Sequence, residues 1–210
     1  MLSEDERKDD LLTRIDQVLV RDGLSGLTMG TLAKRVGVSR GKLYLYFESK
    51  EAVIEAVVAR QLAIIEAASA GKNEALALRL MDELTVLTAG SPLFLSDLMQ
   101  QYPRQGARLN RALNEWQTQL ADELQTGINK GRLQAIDPVL LIRVVKAGVG
   151  DLLADPRFGG DAARETLTGL LQLQLVALVG PDKAAKALAK PKLQQRLSQL
   201  ATQLAERYPQ

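Results

Sequence analysis

Seven residues between positions 28 and 50 carry the side chains best suited to chemistry: Thr28, Ser39, Arg40, Lys42, Tyr44, Tyr46 and Lys50. Their types suit binding, not bond-making. Basic groups neutralise phosphates, hydroxyls and phenols donate to phosphate oxygens, and polar or basic side chains at a helix start reach base edges. Five basic residues in this stretch (Lys34, Arg35, Arg40, Lys42 and Lys50) stand against one acid, Glu48. The positive field is therefore local, although the formal net charge of the whole chain is only +2. Elsewhere reactive groups are scarce. There is no cysteine and no histidine, which removes disulfides, thiolates, the commonest metal ligand and the commonest general base. Carboxylates such as Asp122 and Glu123, or Asp151 and Asp155, are framed by no recognisable catalytic constellation. The expectation is a protein that is not an enzyme and holds no cofactor or metal.

The elements that position these residues are helical. Aromatics make up 4% of the chain while Leu and Ala are abundant, a balance that favours helix over sheet. Apolar residues recur with helical period almost everywhere and strand alternation appears nowhere convincing. Leu11, Leu12, Ile15, Val18 and Leu19 form one face of a first helix that stops near Asp22-Gly23, Gly being suited to the C-terminal cap. Met29 to Val36 and Arg40 to Tyr46 follow as a short pair around a turn at Gly37, where a positive φ is needed. Ala33 allows the pair to approach closely. Leu32, Val36, Val38 and Leu43 are spaced for a small shared core, Phe47 reads as core, and Ser39 can cap the second helix. This is the plan of a helix-turn-helix, which lays its second helix in the major groove of DNA. In that register Ser39, Arg40 and Lys42 face bases, while Thr28, Tyr44, Tyr46 and Lys50 suit phosphates. Lys34 and Arg35 fit a solvated face as well as a contact.

Ser49 caps a fourth helix that runs to about Ala70-Gly71, with a joint at 71–73. Further helices are expected from Leu76 to Gly90, from Ser91-Pro92 to Tyr102-Pro103, and along the stripe Leu109, Leu113, Trp116, Leu120, Leu124 and Ile128 to Lys130-Gly131. Others run from Asp137-Pro138 to about Ala154, from the Asp161 cap to Val179 after a loop at 155–160, and from about 190 to 208. That last helix, with Leu193, Leu197, Leu200 and Leu204, would either extend a dimer or cover the core. The lysines Lys183, Lys186, Lys190 and Lys192 read as a solvated face. The acidic start of the chain lacks a signal-peptide core, and no apolar run approaches the roughly 18 residues of a membrane span. The expectation is a cytoplasmic protein with no membrane partner.

The run Gly23-x-x-x-Leu27-Thr28-Met29, then Leu32-Ala33, then Val36-Gly37-Val38-Ser39-x-Gly41-x-Leu43-Tyr44-x-Tyr46-Phe47-x-Ser49-Lys50-Glu51, resembles the N-terminal signature of the tetracycline-repressor (TetR) family. The resemblance covers roughly the first 60 residues. Lys42 departs from the family's usual Thr and adds a cation at the DNA face. The resemblance places Gly41 among the DNA-binding residues. It implies an all-α protein with an N-terminal three-helix DNA-binding domain (1–50) and a larger C-terminal helical ligand-binding and dimerisation domain (51–210), the helix at about 50–70 connecting the two. It implies a homodimer on a palindromic operator, paired through helices at about 138–154 and 161–179. Both helices are apolar on nearly all sides and carry glycines suited to close approach, Gly148 and Gly150 in one and Gly169 in the other.

The resemblance also implies a pocket for a small-molecule inducer within helices from about 75 to 153, whose binding releases a repressor from DNA. Candidate lining residues are Phe94, Leu98, Met99, Tyr102, Trp116, Leu120 and Arg143. Arg143 and Lys146 interrupt an apolar helix: one of them meets an acidic ligand group, or both are salt-bridged or at the surface. Two other classes compete with this reading. One is a ligand-independent DNA-binding architectural factor with the same head and a filled core, and the other is an enzyme, for which the carboxylates named above are the available groups. A helix-turn-helix that binds protein instead of DNA is the alternative for the motif itself.

Overall fold

The computed structural model describes residues 3–71, 75–154 and 160–207, and among them eleven helices and no strand. They are α1 (Glu4–Asp22), α2 (Met29–Arg35), α3 (Arg40–Tyr46), α4 (Lys50–Ala70), α5 (Leu76–Ala89), α6 (Pro92–Gln101), α7 (Pro103–Asn129), α8 (Pro138–Ala154), α9 (Gly160–Val179), α10 (Pro181–Leu188) and α11 (Pro191–Arg207). Residues 72–73 of the expected joint and 155–159 of the expected loop, Asp155 included, lie outside the described residues, as does the side chain of Asp161.

The helix starts follow local chemistry. Ser3 and Glu6 form a capping box on α1, with Glu6 N donating to Ser3 Oγ (3.2 Å) and Ser3 N to Glu6 Oε2 (2.7 Å). Ser49 Oγ accepts from Ala52 N at 3.1 Å at the start of α4, and Ser91 Oγ accepts from Phe94 N at 3.0 Å ahead of Pro92 in α6. Asp137 Oδ1 accepts from Val139 N and Leu140 N ahead of α8.

The chain divides into two compact units. One comprises Met1–Ala63 with Gly90–Arg111, the other Ile64–Ala89 with Ala112–Gln210. The first unit thus extends beyond residues 1–50 and takes in α4 as far as Ala63, α6 and the start of α7 to Arg111. Leu11, Ile15 and Leu19 of α1 and Val53, Ile54, Val57 and Val58 of α4 are fully buried. Gln61 Nε2 donates to Asp16 Oδ1 at 2.6 Å between the two helices. Ser91 Oγ donates to Val20 O (2.6 Å), and Leu24 N donates to Asp97 Oδ2 (2.6 Å), which fixes α6 against the end of α1.

In the second unit α9 packs on α5, α10 and α11. All four leucines of the α11 stripe, Leu193, Leu197, Leu200 and Leu204, are buried, so this helix covers the core. Helix α10 is an addition to the sequence reading, which expects no helix between Val179 and about 190. Gly180 (φ 81) turns the chain and Pro181 opens a two-turn helix whose one buried residue is Ala184. With one small apolar anchor there is almost no hydrophobic period to detect. A buried ion network crosses this unit. Arg79, 3% exposed, forks onto Glu123 (Nε–Oε2 3.0 Å, Nη2–Oε1 3.2 Å), while its Nη1 donates to Ala68 O and to Asp82, which also receives Arg196.

Candidate nucleic-acid interface

The α2–turn–α3 segment is held from three sides. Thr28 Oγ1 accepts from Thr31 N (3.1 Å) and Thr31 Oγ1 accepts from Thr28 N (2.9 Å), so the Thr28 hydroxyl caps α2. Gly37 takes φ 69 and lets the chain reverse in a few residues, with Val38 N donating to Ala33 O at 3.0 Å. Arg14 of α1 donates through Nη1 to Val36 O (3.0 Å), satisfying a carbonyl at the end of α2. Leu32 and Leu43 are fully buried, Ala33 and Val36 nearly so, and Val38 is half-buried. Ser39 Oγ accepts from Lys42 N at 3.1 Å and caps α3.

With Leu43 facing inward, the roughly 100° step of an α-helix sends Gly41 and Leu45 furthest outward. Arg40 and Tyr44 stand on one flank and Lys42 on the other. The exposures agree: Ser39, Arg40, Gly41 and Lys42 are exposed, Tyr44 is 41% exposed and Leu45 80%. The Arg40 guanidinium lies over the Tyr44 ring at 5.4 Å, so this flank presents its cation and phenol as one unit. Tyr46 is half-buried, and Phe47 is core at 3%. Leu45 is a surface residue that sequence reasoning passed over, although the same helical step that buries Leu43 already exposes it.

The charges around α3 are not all alike. Lys50 is half-buried; its Nζ donates to Leu27 O (3.3 Å) and sits 5.5 Å over the Tyr102 ring. An ammonium has three donors, so these contacts aim Lys50 and leave it capacity for a phosphate. Lys34 and Lys42 are exposed. Arg35 lies 3.9 Å from Asp22, whose carboxyl is held below the usual range by its hydrogen bond to Arg21, with Arg35 adding a smaller pull.

The seven pocket candidates are divided between the two units. In the first, Phe94 and Leu98 are fully buried, Met99 is 43% exposed, and Tyr102 is the ring beneath Lys50. In the second, Trp116 is buried with no hydrogen-bond partner on its indole N–H, and Arg143 is exposed on α8. Lys146 is also exposed and donates to Gln117 Oε1 at 3.4 Å. The second unit contains an open cleft of about 1000 Å³ lined by Leu76, Leu120, Leu124, Leu133 and Val179 together with polar and charged residues, Arg79, Asn114, Gln119 and Glu123 among them. Leu120 alone of the seven candidates lines it. The sequence could not single out the others because the cleft is bounded by the start of α5, the middle of α7 and Val179, which are far apart in the chain. Deeper in this unit Glu83 is fully buried, and burial pushes its carboxyl up to about 8 against a lowering contribution from Gln174, itself fully buried. Neither Glu83 oxygen makes a well-formed hydrogen bond.

Among the described residues no cluster of acidic groups is arranged to hold a metal, and no helix is long and apolar enough to cross a membrane. Residues 11–57 match the family model of bacterial regulatory proteins of the tetR family. Over 54 residues the chain is 39% identical to an HTH-type transcriptional regulator of Haemophilus influenzae, a stretch that covers 24% of this chain and 29% of that relative. The solved ketosteroid transcriptional regulator KstR2 of Mycobacterium tuberculosis resembles the chain with a TM-score of 0.65 at 19% identity, over 84% of this chain and 97% of that one. A regulator from Saccharomonospora viridis in complex with choline does so with a TM-score of 0.54 at 17% identity, over 82% and 96%. At such identities the likeness establishes the fold: an N-terminal helix-turn-helix followed by a helical C-terminal part.

Proposed function

We propose that the chain, whose residues 11–57 match the tetR family of bacterial regulatory proteins, is a homodimeric repressor of that kind, which reads a palindromic operator and leaves it when a small molecule binds. One observation carries the DNA-reading part. The helix that packs inward through Leu43 and Phe47 turns Arg40, Lys42 and Tyr44 outward, on a unit whose α2–α3 turn is held rigid by caps and by Arg14. Ser39, Arg40 and Lys42 meet base edges. Thr28, Tyr44, Tyr46 and Lys50 meet phosphates.

Pairing is supported by the surface of the second unit. Val139, Leu140 and Val144 of α8 and Leu173 of α9 are each more than half exposed. A Cβ added at Gly169, one turn from Leu173, would meet no atom within 4 Å, and one added at Gly148 would lie 4.0 Å from Leu170 Cδ2, so both glycines leave room at the helix surface. Exposed apolar side chains of this kind on α8 and α9 suit a second copy of the chain. A single helix-turn-helix reads only a few base pairs, and pairing supplies two heads for half-sites about 34–36 Å apart.

The cleft beside Arg79–Glu123 is the place for the signal to enter, and its size speaks against a ligand-independent architectural factor. The choline held by the Saccharomonospora viridis relative supports a small-molecule signal. Release requires the ligand to prefer the conformation that binds DNA poorly. The experiment is selection of bound duplexes from random DNA. An enriched inverted repeat supports this reading, and a folded protein that enriches nothing overturns it.

A further inference from the structure

Helix α3 presents an apolar ridge at the place where a DNA-reading helix enters deepest. The two residues opposite buried Leu43 are Gly41 and Leu45, and Leu45 is 80% exposed, more than any other large apolar side chain among the described residues. Packing among the described residues of the first unit leaves this side chain uncovered. Gly41 is equally unexplained by packing. A Cβ built there would meet no atom within 4 Å, so the fold does not demand glycine, and glycine inside a helix weakens it. Both residues become intelligible if something outside the chain comes close to this ridge.

The flanks say what that is. Arg40 with Tyr44 on one side and Lys42 on the other frame the ridge with cations and a phenol. An apolar protein surface would have to desolvate those cations, whereas a nucleic-acid groove offers acceptor atoms on its base edges to Arg40 and Lys42 and a phosphate to Tyr44. The apolar group that the four base pairs offer on the floor of the major groove is the C5-methyl of thymine. We propose that Leu45 determines sequence specificity by packing on a thymine methyl in each half-site, the bare backbone at Gly41 allowing the helix to seat deeply enough for that contact. This rests on the DNA-reading function and adds to it a residue whose selectivity is for a methyl group, not a hydrogen-bonding pattern.

The test uses the duplex most enriched by the full-length protein from random DNA. Each thymine is replaced in turn, in both half-sites, by deoxyuridine, which lacks only the methyl. The wild-type protein should lose roughly threefold to tenfold in affinity per half-site at one thymine position, the scale expected for one buried methyl. Leu45→Ala should lose a similar factor on the unmodified duplex and be indifferent to deoxyuridine at that position. Its unchanged thermal midpoint would confirm that the fold is intact. A wild-type protein insensitive to deoxyuridine everywhere overturns the assignment, as does a Leu45→Ala variant as sensitive as wild type. Failure to retain any duplex would remove the DNA-reading function as well. A duplex bound tightly without methyl dependence removes the assignment to Leu45 alone.

Discussion

At the scale of single residues, the basic side chains near α3 have different environments and should fail differently. Arg40 and Lys42 are exposed on α3, so Arg40→Ala and Lys42→Ala should change which sequences are preferred. Lys50 is held by Leu27 O and the Tyr102 ring. Lys50→Ala should therefore weaken binding to all duplexes alike and lower the slope of log affinity against log salt by about one per half-site. It should also cost about 1 kcal/mol of stability through the lost hydrogen bond. Affinity measured by fluorescence anisotropy across a salt series separates the two behaviours. In the second unit, Glu83 makes a pH prediction. Its carboxyl has an ordinary value of 4.5 and is pushed up to about 8 by burial. Between these values the folded chain keeps a proton that the unfolded chain has lost. The Glu83 contribution to stability is then fully present below about pH 4.5 and falls, by at most about 1.4 kcal/mol per pH unit, until the folded group ionises near pH 8. Glu83→Gln should flatten that decline in urea midpoints measured from pH 5 to 8. An equal slope in both proteins would show that Glu83 is not its source.

At the scale of elements, Ser39 separates folding from binding. Its hydroxyl caps α3 through Lys42 N, so Ser39→Ala should cost about 1 kcal/mol in chemical denaturation. Ser39→Asp keeps a capping oxygen and should leave stability near wild type. Its added negative charge, brought into a groove rimmed by phosphates, should nonetheless lower DNA affinity by roughly tenfold or more. The reason α2 and α3 could be read from the sequence is visible in the same contacts. Their bounds depend on Thr28, Gly37 and Ser39, each acting within three residues of itself. Elements whose limits depend on distant partners were harder. Helix α10 buries only Ala184, and α6 belongs with α1 because Ser91 and Asp97 reach Val20 and Leu24, contacts more than seventy positions apart. Tyr102 and Arg143 looked like pocket residues from their types alone. Their places, under Lys50 and on the exposed side of α8, are set by tertiary packing that periodicity does not encode.

At the scale of the whole molecule, the proposed function depends on pairing. The α8 face carrying Leu140 and Val144 is apolar and exposed in the single chain. Leu140→Glu with Val144→Glu should yield a folded monomer by sedimentation equilibrium, because both side chains already face outward. The same protein should retain only weak, salt-sensitive DNA binding. The central claim is that two copies of α3 read one operator, and the mass of the complex tests it most directly. On the most enriched duplex, light scattering at stoichiometric concentration should give two chains per duplex with half-sites about 10 base pairs apart. Cutting the duplex to one half-site should reduce affinity steeply. A single chain bound to the full site, or equal affinity for the half-site, would contradict the account.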